Sequence, residues 1–204
     1  TSSDTFLQLK TTGTTANNYI EFKDSGGSAG NFQYNHESNY LATKVNGAEA
    51  MRISSIGAVT KPLQPAFCAN LSSNYDAIPA SSSMTIIPFA TERFDQNADF
   101  NTSNYTFTAP VTGRYLFTFM LYLFNSLDTS SSYYYVSLNS SNRDYDIAVT
   151  SAMFGSDISL YQMTGSVIAD MDASDTMHLA ISQSGGAQQC KIATTSSFSG
   201  ALIC

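Results

Sequence analysis

An all-β fold is predicted, a two-sheet sandwich preceded by a shorter run of β-hairpins, and three observations predict it. The segment from Phe94 to Phe124 reads as a short strand, a corner over Tyr105-Thr106-Phe107-Thr108-Ala109-Pro110-Val111-Thr112-Gly113, and then a long strand. Pro110 has no N–H to give to a ladder, and Gly113 relieves the tight turn. Short runs of alternating apolar and polar residues recur along the chain, bounded by Gly, Ser and Asn turns, and no stripe of helical period reaches a useful length.

Taken in order, the first strands are predicted at Thr5–Leu9, Tyr19–Phe22, Asn31–Tyr34 and Tyr40–Val45. Asn46-Gly47, between Leu41–Val45 and Ala50–Ile53, is a strong two-residue hairpin signal because both central positions take positive φ, so Val45 and Ala48 should flank a tight reversal. Each of these strands carries too few large apolar side chains to bury a private core against a backbone entropy of about 1–2 kcal/mol per residue. The segment needs neighbours, and copies of itself wound about a three-fold axis would close its open edges as an intertwined shaft. Thr60-Lys61-Pro62-Leu63-Gln64-Pro65, with two prolines that stop ladders on either side, marks the junction. This divides the chain into residues 1–62 and 63–204.

Beyond the junction, strands are predicted at Ala66–Leu71, Met84–Phe89, Tyr105–Phe107, Arg114–Phe124, Tyr133–Leu138, Asp146–Thr150, Ser159–Ala169, Met177–Ile181 and Ser197–Ile203, arranged as two antiparallel sheets. In Arg114–Phe124, Tyr115, Phe117, Phe119 and Leu121 share one face while Leu116, Thr118, Met120 and Tyr122 share the other. A strand apolar on both sides must be covered on both sides. One cover is the opposite sheet, and the second is expected to be another subunit or a capping loop of the same chain. Tyr115, Phe117, Phe119 and Tyr122 are the expected trimer core, with an interface on the order of 2,000 Å² or more.

Composition narrows the function. Only 12% of the 204 residues are charged, about half the usual share, so the exterior is neutral and hydrogen-bonding. A net charge of -7 and a pI near 4.5 leave no basic patch for nucleic acid or an anionic membrane. No apolar run is long enough to span a bilayer, and Thr1-Ser2-Ser3-Asp4 reads as the start of a fragment or processed product. Cys68, Cys190 and Cys204 are odd in number and lack metal-like spacing. No nucleophile elbow, zinc-binding His-Glu pair, Walker loop or ordered Ser, Asp and His set accompanies His36 and His178, so an enzyme is not expected. Asp170-x-Asp172-x-x-Asp175 misses the Gly and Glu of a calcium loop and reads as an acidic hairpin turn. Tyr133-Tyr134-Tyr135 has the chemistry of a sugar-stacking platform, although alternation sends Tyr134 away from its neighbours.

Phe107-Thr108-Ala109-Pro110-Val111-Thr112-Gly113 followed by alternating aromatics resembles the signature of C1q-like heads, the trimeric jelly rolls of the C1q/tumour necrosis factor superfamily. Pro65-Ala66-Phe67-Cys68-Ala69 resembles that family's first strand and Ser196–Ile203 its last, while Thr164–Ile168 and Ala173–Met177 resemble its penultimate hairpin. Asp-Ala-Ser-Asp stands where Gly-Asp is more usual. In the first part, Tyr34-Asn35-His36, Asn46–Ile53 and Gly57-Ala58-Val59 resemble the strand-hairpin segment of bacteriophage tail fibres.

These resemblances imply a homotrimeric C1q/TNF-like jelly roll on an intertwined shaft, located on a virion as the distal part of a tail fibre or spike. They imply partners in an upstream fibre or baseplate protein and a host cell-surface glycan or protein. Strand parity then places the loops near 126–132, 154–159 and 183–189 at the far tip, and those at 140–144 and 172–176 toward the shaft. The receptor-binding candidates are Asn125, Ser126, Asp128, Ser131, Tyr133, Ser156, Asp157, Gln183, Ser184 and Gln188. A head that only locks the trimer and a secreted C1q-like lectin are the alternatives. No cofactor is expected. The family often holds calcium near its axis, and by placing its first and last strands side by side it leaves a Cys68–Cys204 bridge open.

Overall fold

A computed structural model describes the chain except for residues 1–6, 77, 151–152 and 188–189. It comprises two compact units, Thr1–Gln64 and Pro65–Cys204.

The first unit is a five-stranded antiparallel meander, β1 (Asn17–Asp24), β2 (Gly27–Asn35), β3 (Tyr40–Val45), β4 (Ala48–Ile53) and β5 (Val59–Thr60), in consecutive order. Asn46 and Gly47 both take positive φ, 50° and 77°, and Val45 pairs with Ala48, as the hairpin signal predicts. The strand expected at Thr5–Leu9 is not formed over its described part: Leu7 onward is irregular, and residues 5–6 lie outside the described residues. Cross-strand register sorts the side chains into two faces. Gln33 stands opposite Ala42 and Ala42 opposite Arg52, so these share a polar face with Asn17 and Tyr40. That face is knit by Gln33 Nε2 donating to Asn17 Oδ1 at 3.1 Å, and by an Arg52–Glu49 ion pair whose guanidinium lies 3.8 Å over the Tyr40 ring.

The other face carries Ile20, Phe22, Phe32, Tyr34, Leu41, Val45, Ile53 and Val59. It is largely bare, with Phe22 55%, Phe32 46% and Val45 57% exposed. Among the unit's described residues only Gln33 and Ala42 are buried. The sheet is amphipathic and single-layered, and a stable sheet of this kind buries its apolar face against a second layer.

The second unit is a β-sandwich. One sheet has the order β13 (Asp144–Thr150), β12 (Ser131–Ser140), β15 (Thr176–Gly185), β10 (Thr106–Thr108), β9 (Phe100–Asn101), with β7 (Thr85–Ile86) also on β15. The other has the order β14 (Ile158–Met171), β11 (Gly113–Leu127), β17 (Ser197–Leu202), β6 (Ala66–Asn70), β8 (Thr91–Asp95), with β16 (Lys191–Ile192) also on β11. Sequence-distant strands are neighbours at β12–β15, β15–β10, β14–β11, β11–β17 and β17–β6, the jelly-roll crossing that the resemblance implies.

The core is aromatic. The Phe67 ring stacks on Phe100 at 4.6 Å and on Phe107 at 5.2 Å, and meets Phe198 edge-on at 5.1 Å. The corner before β11 is held by the Tyr115 hydroxyl donating to Val111 O at 2.7 Å. Gly113 serves closeness of approach rather than turn relief, since a Cβ there would stand 2.7 Å from Cys204 O. Gly200 is as crowded: a Cβ would stand 2.6 Å from the Phe117 ring and 2.7 Å from that of Phe67. Gly200→Ala is expected to destabilise the sandwich by about 1–3 kcal/mol through overpacking, seen as a lower urea midpoint with an unchanged slope.

The expected trimer core needs correction. Tyr115, Phe117 and Phe119 point into the sandwich of their own chain and are buried there, because both sheets place their large aromatics on this side of β11. Tyr122 lies on the opposite, outer face with Leu116, Thr118 and Met120, which are half-buried or exposed. Cys68 stands opposite Ser199, five residues short of Cys204, or roughly 17 Å at ~3.3 Å per residue. A bridge spans at most ~7 Å between Cα atoms, so Cys68–Cys204 does not form, and all three cysteines are free.

Candidate free-end site and outer groove

Register decides which loops share an end. Leu127 pairs with Ile158, Ser131 with Gly185 and Tyr133 with Thr150, so the described loop residues 128–130, 153–157 and 186–187 gather at one end of the sandwich. Gly113 pairs with Met171, Asn139 with Asp144 and Ala66 with Ala201, so the turns at 141–143 and 172–175 lie at the other end, where the chain enters. The parity expectation for these loops within the sandwich is met.

Three polar residues expected to reach outward from the free end point inward instead. Asp128 is 4% exposed and acts as a hub: Oδ1 accepts from Ser130 N at 2.8 Å, Oδ2 accepts from Ala187 N, and its own N–H donates to the Tyr134 hydroxyl at 2.8 Å. The buried Ser131 hydroxyl donates to Asp128 O at 2.6 Å. Gln183 is fully buried, with Nε2 donating to Gly185 O and Oε1 accepting from Cys190 N at 2.9 Å. A tight reversal between β11 and β12 leaves backbone donors that need partners, and these side chains supply them. The Asp-x-Ser spacing at 128–130 is an Asx-turn signal that the sequence reading passed over.

The remaining candidates divide. Asn125 is exposed in the left-handed region at φ 49°, and Ser126 falls in the last turn-ward stretch of β11. Ser156 is exposed, and exposed Asp157 ties two loops by accepting from Thr129 N at 2.9 Å and Thr129 Oγ1 at 2.8 Å. Ser184 is half-buried and accepts from Ser82 Oγ at 3.0 Å. Gln188 lies outside the described residues.

At the entry end, Asp175 accepts from Ser141 Oγ and from Asp172 N, each at 2.8 Å. These bonds, the Ser141 one foremost, hold its carboxyl below the usual carboxylate range. The acidic stretch is a hydrogen-bonded clasp between two turns. Among the described residues no group of three or more His, Cys, Asp or Glu is placed to hold a metal ion. Burial pushes the Cys190 thiol up to about 12, and burial lowers the His178 pKa.

A second feature was only half visible in the sequence. Tyr134 is buried in the core, while Tyr133 and Tyr135 stand together on the outer face of β12, ring centroids 6.3 Å apart at 66°. They floor an open groove of about 500 Å³ lined also by Ser82, Met84, Ala148, Thr150 and Ser182. Ser82 and Met84 come from a stretch without regular strand structure, and no sequence signal placed it beside β15.

A family model for the C1q domain matches residues 66–203, which is the β-sandwich. The chain belongs to the C1q domain family. The solved structures similar to its C1q domain include the globular domain of zebrafish complement 1qA, 18% identical with a TM-score of 0.49, covering 69% of this chain and 98% of that one. Murine APRIL is 10% identical at a TM-score of 0.48, covering 69% and 99%. The PRD1 vertex protein P5 is 14% identical at a TM-score of 0.44, covering 69% and 98%. No curated protein matches the chain. No described helix is long and apolar enough to cross a membrane.

Proposed function

We propose that this chain is the outer part of a homotrimeric attachment fibre or spike of a bacteriophage, in which the C1q domain recognises a host-surface glycan or protein and residues 1–62 form the shaft. The bare apolar face of the β1–β5 sheet carries this reading. A single-layered sheet with Phe22, Phe32 and Val45 exposed is incomplete alone, and copies of the same sheet about a three-fold axis complete it. The second apolar face of β11, around Leu116, Met120 and Tyr122, is the matching surface on the C1q domain. The tail-fibre resemblance of the first unit supports the virion setting and a junction to an upstream fibre or baseplate protein.

Three identical free ends on one axis gain from effective concentration, which turns modest loop contacts into adhesion. The internal use of Asp128, Ser131 and Gln183 favours a second reading, in which the free end is a rigid cap that locks the trimer and recognition lies elsewhere. Ser156→Arg combined with Ala187→Arg separates the two, since both positions are exposed. On a panel of bacterial strains, labelled protein is expected to stain a subset, and the double variant to lose that staining at unchanged oligomeric mass. Staining that survives the double variant supports the cap, and no staining of any strain removes the attachment reading.

A further inference from the structure

The groove over Tyr133 and Tyr135 has the physical features of a ligand site. Its volume of about 500 Å³ falls within the ~300–1,000 Å³ of small-ligand sites. Its floor is two tyrosine rings inclined to each other with the nearly buried Ser182 beside them, its walls add Met84 and Ala148, and its rim adds the hydroxyls of Ser82 and Thr150.

We propose that this groove is the saccharide-binding site of the protein and takes a neutral, polyhydroxylated oligosaccharide across the Tyr133 and Tyr135 rings. The inference rests on the attachment reading and names the class of ligand that reading requires. A sugar ring has an apolar C–H face and a belt of hydroxyls. The first stacks on an aromatic face, and the second bonds to a rim of hydroxyl groups. None of the described residues lining the groove is charged, so nothing among them rewards a carboxylate or phosphate on the ligand.

The site is also preorganised. Asp146 shares this face of the β12–β13 pair with Tyr135 and is itself held, its Oδ1 accepting from Ser137 Oγ at 2.6 Å. The Asp146 carboxylate pushes the Tyr135 phenol up to about 12, so the ring stays neutral. The wall opposite is pinned as well. Ser82, at φ 63°, donates through its N–H to Gln183 O at 2.9 Å and through Oγ to Ser184 Oγ at 3.0 Å, and Gly185 N donates to Ala80 O at 3.0 Å. Little ordering is left to be done on binding.

The test is an array of neutral oligosaccharides terminated in glucose, galactose or N-acetylglucosamine, with sialylated and phosphorylated counterparts, probed with the full chain and followed by calorimetry on the best binder. At least one neutral oligosaccharide is expected to bind, with no preference for the anionic ones. Tyr133→Ala and Tyr135→Ala should each weaken it at least about tenfold, as loss of an aromatic stacking surface implies. Tyr133→Phe, which keeps the ring, should retain most of the affinity. Ala148→Arg, on the exposed edge strand, fills the groove and serves as the test should an alanine variant fail to fold. Failure of every neutral oligosaccharide to bind, a preference for anionic ones, or full affinity in the groove variants overturns the proposal. Cell staining that persists in the groove variants sinks this inference and leaves the attachment reading intact. Oligosaccharide binding lost in Tyr133→Ala, with no cell stained, does the reverse.

Discussion

Phe32→Asp is expected to convert the protein from a species of three times 22.0 kDa to one of 22.0 kDa in native mass spectrometry. Phe32 sits in the middle of the bare face, between Ile20 on β1 and Thr43 on β3, with its ring edge-on to Phe22 at 6.0 Å. In the proposed trimer this face would be interior, so each of three carboxylates would have to leave water without a partner. The effective penalty of burying an unpaired ion is several kcal/mol each. An isolated sheet has no such cost, so a purely structural role for Phe32 within one chain predicts no change in mass. The trimer proposal fails if the unaltered protein is monomeric across dilution, and the part of the β1–β5 sheet in it fails if Phe32→Asp keeps the full assembly.

The second large effect is in the C1q core. Phe67→Ala should cost about 3–5 kcal/mol and lower the thermal midpoint by on the order of 10 °C at fixed protein concentration. Phe67 is 1% exposed and touches rings from β9, β10, β11 and β17, so it joins both sheets at once. The cavity left by its ring is walled by other rings that have little freedom to collapse into it. Val111→Ala, at an exposed corner position whose carbonyl still accepts from Tyr115, should stay within about 0.5 kcal/mol of the unaltered protein. Calorimetry on the full chain reads both. A loss for Phe67→Ala no larger than for Val111→Ala would show that the aromatic cluster does not hold the sheets together.

Much of the sandwich was legible because the pleat has a period of two. The alternation of Tyr115, Phe117, Phe119 and Leu121 on β11 and the Pro110 corner before it placed the long strand and its sheet. The Asn46-Gly47 pair located a hairpin to the residue. What alternation does not tell is which face of a doubly apolar strand looks inward, and the trimer-core reading failed there. The glycines held the missing signal: Gly200 on β17 and Gly165 on β14 pair with Phe117 and Phe119, and an absent side chain beside a large ring marks the crowded side. The short strands β8, β9 and β16 were harder still, since two to five residues carry almost no periodicity and owe their pairing to their partners.

The free-end residues were misjudged for a different reason. Asp128, Ser131 and Gln183 look like surface residues by type, and burial of such groups follows only when backbone donors nearby lack partners. That accounting needs the register of three connections at once. Tyr133 and Tyr135 were half legible, because the triplet separated them from Tyr134, while the Ser82–Met84 wall that turns a flat face into a groove is brought there by a long-range pairing of Ser81 with Ser184.

The C-terminal strand of the sandwich ends beside its first: Ala201 pairs with Ala66, and Arg114 N donates to Cys204 O at 2.6 Å. A fluorescent protein or affinity tag fused after Cys204 therefore emerges at the root of the C1q domain, leaving its far loops unobstructed. A foreign peptide spliced into the exposed turn at Gly155-Ser156 emerges at the opposite pole, which makes this sandwich a natural scaffold for displaying one cargo while being held by another.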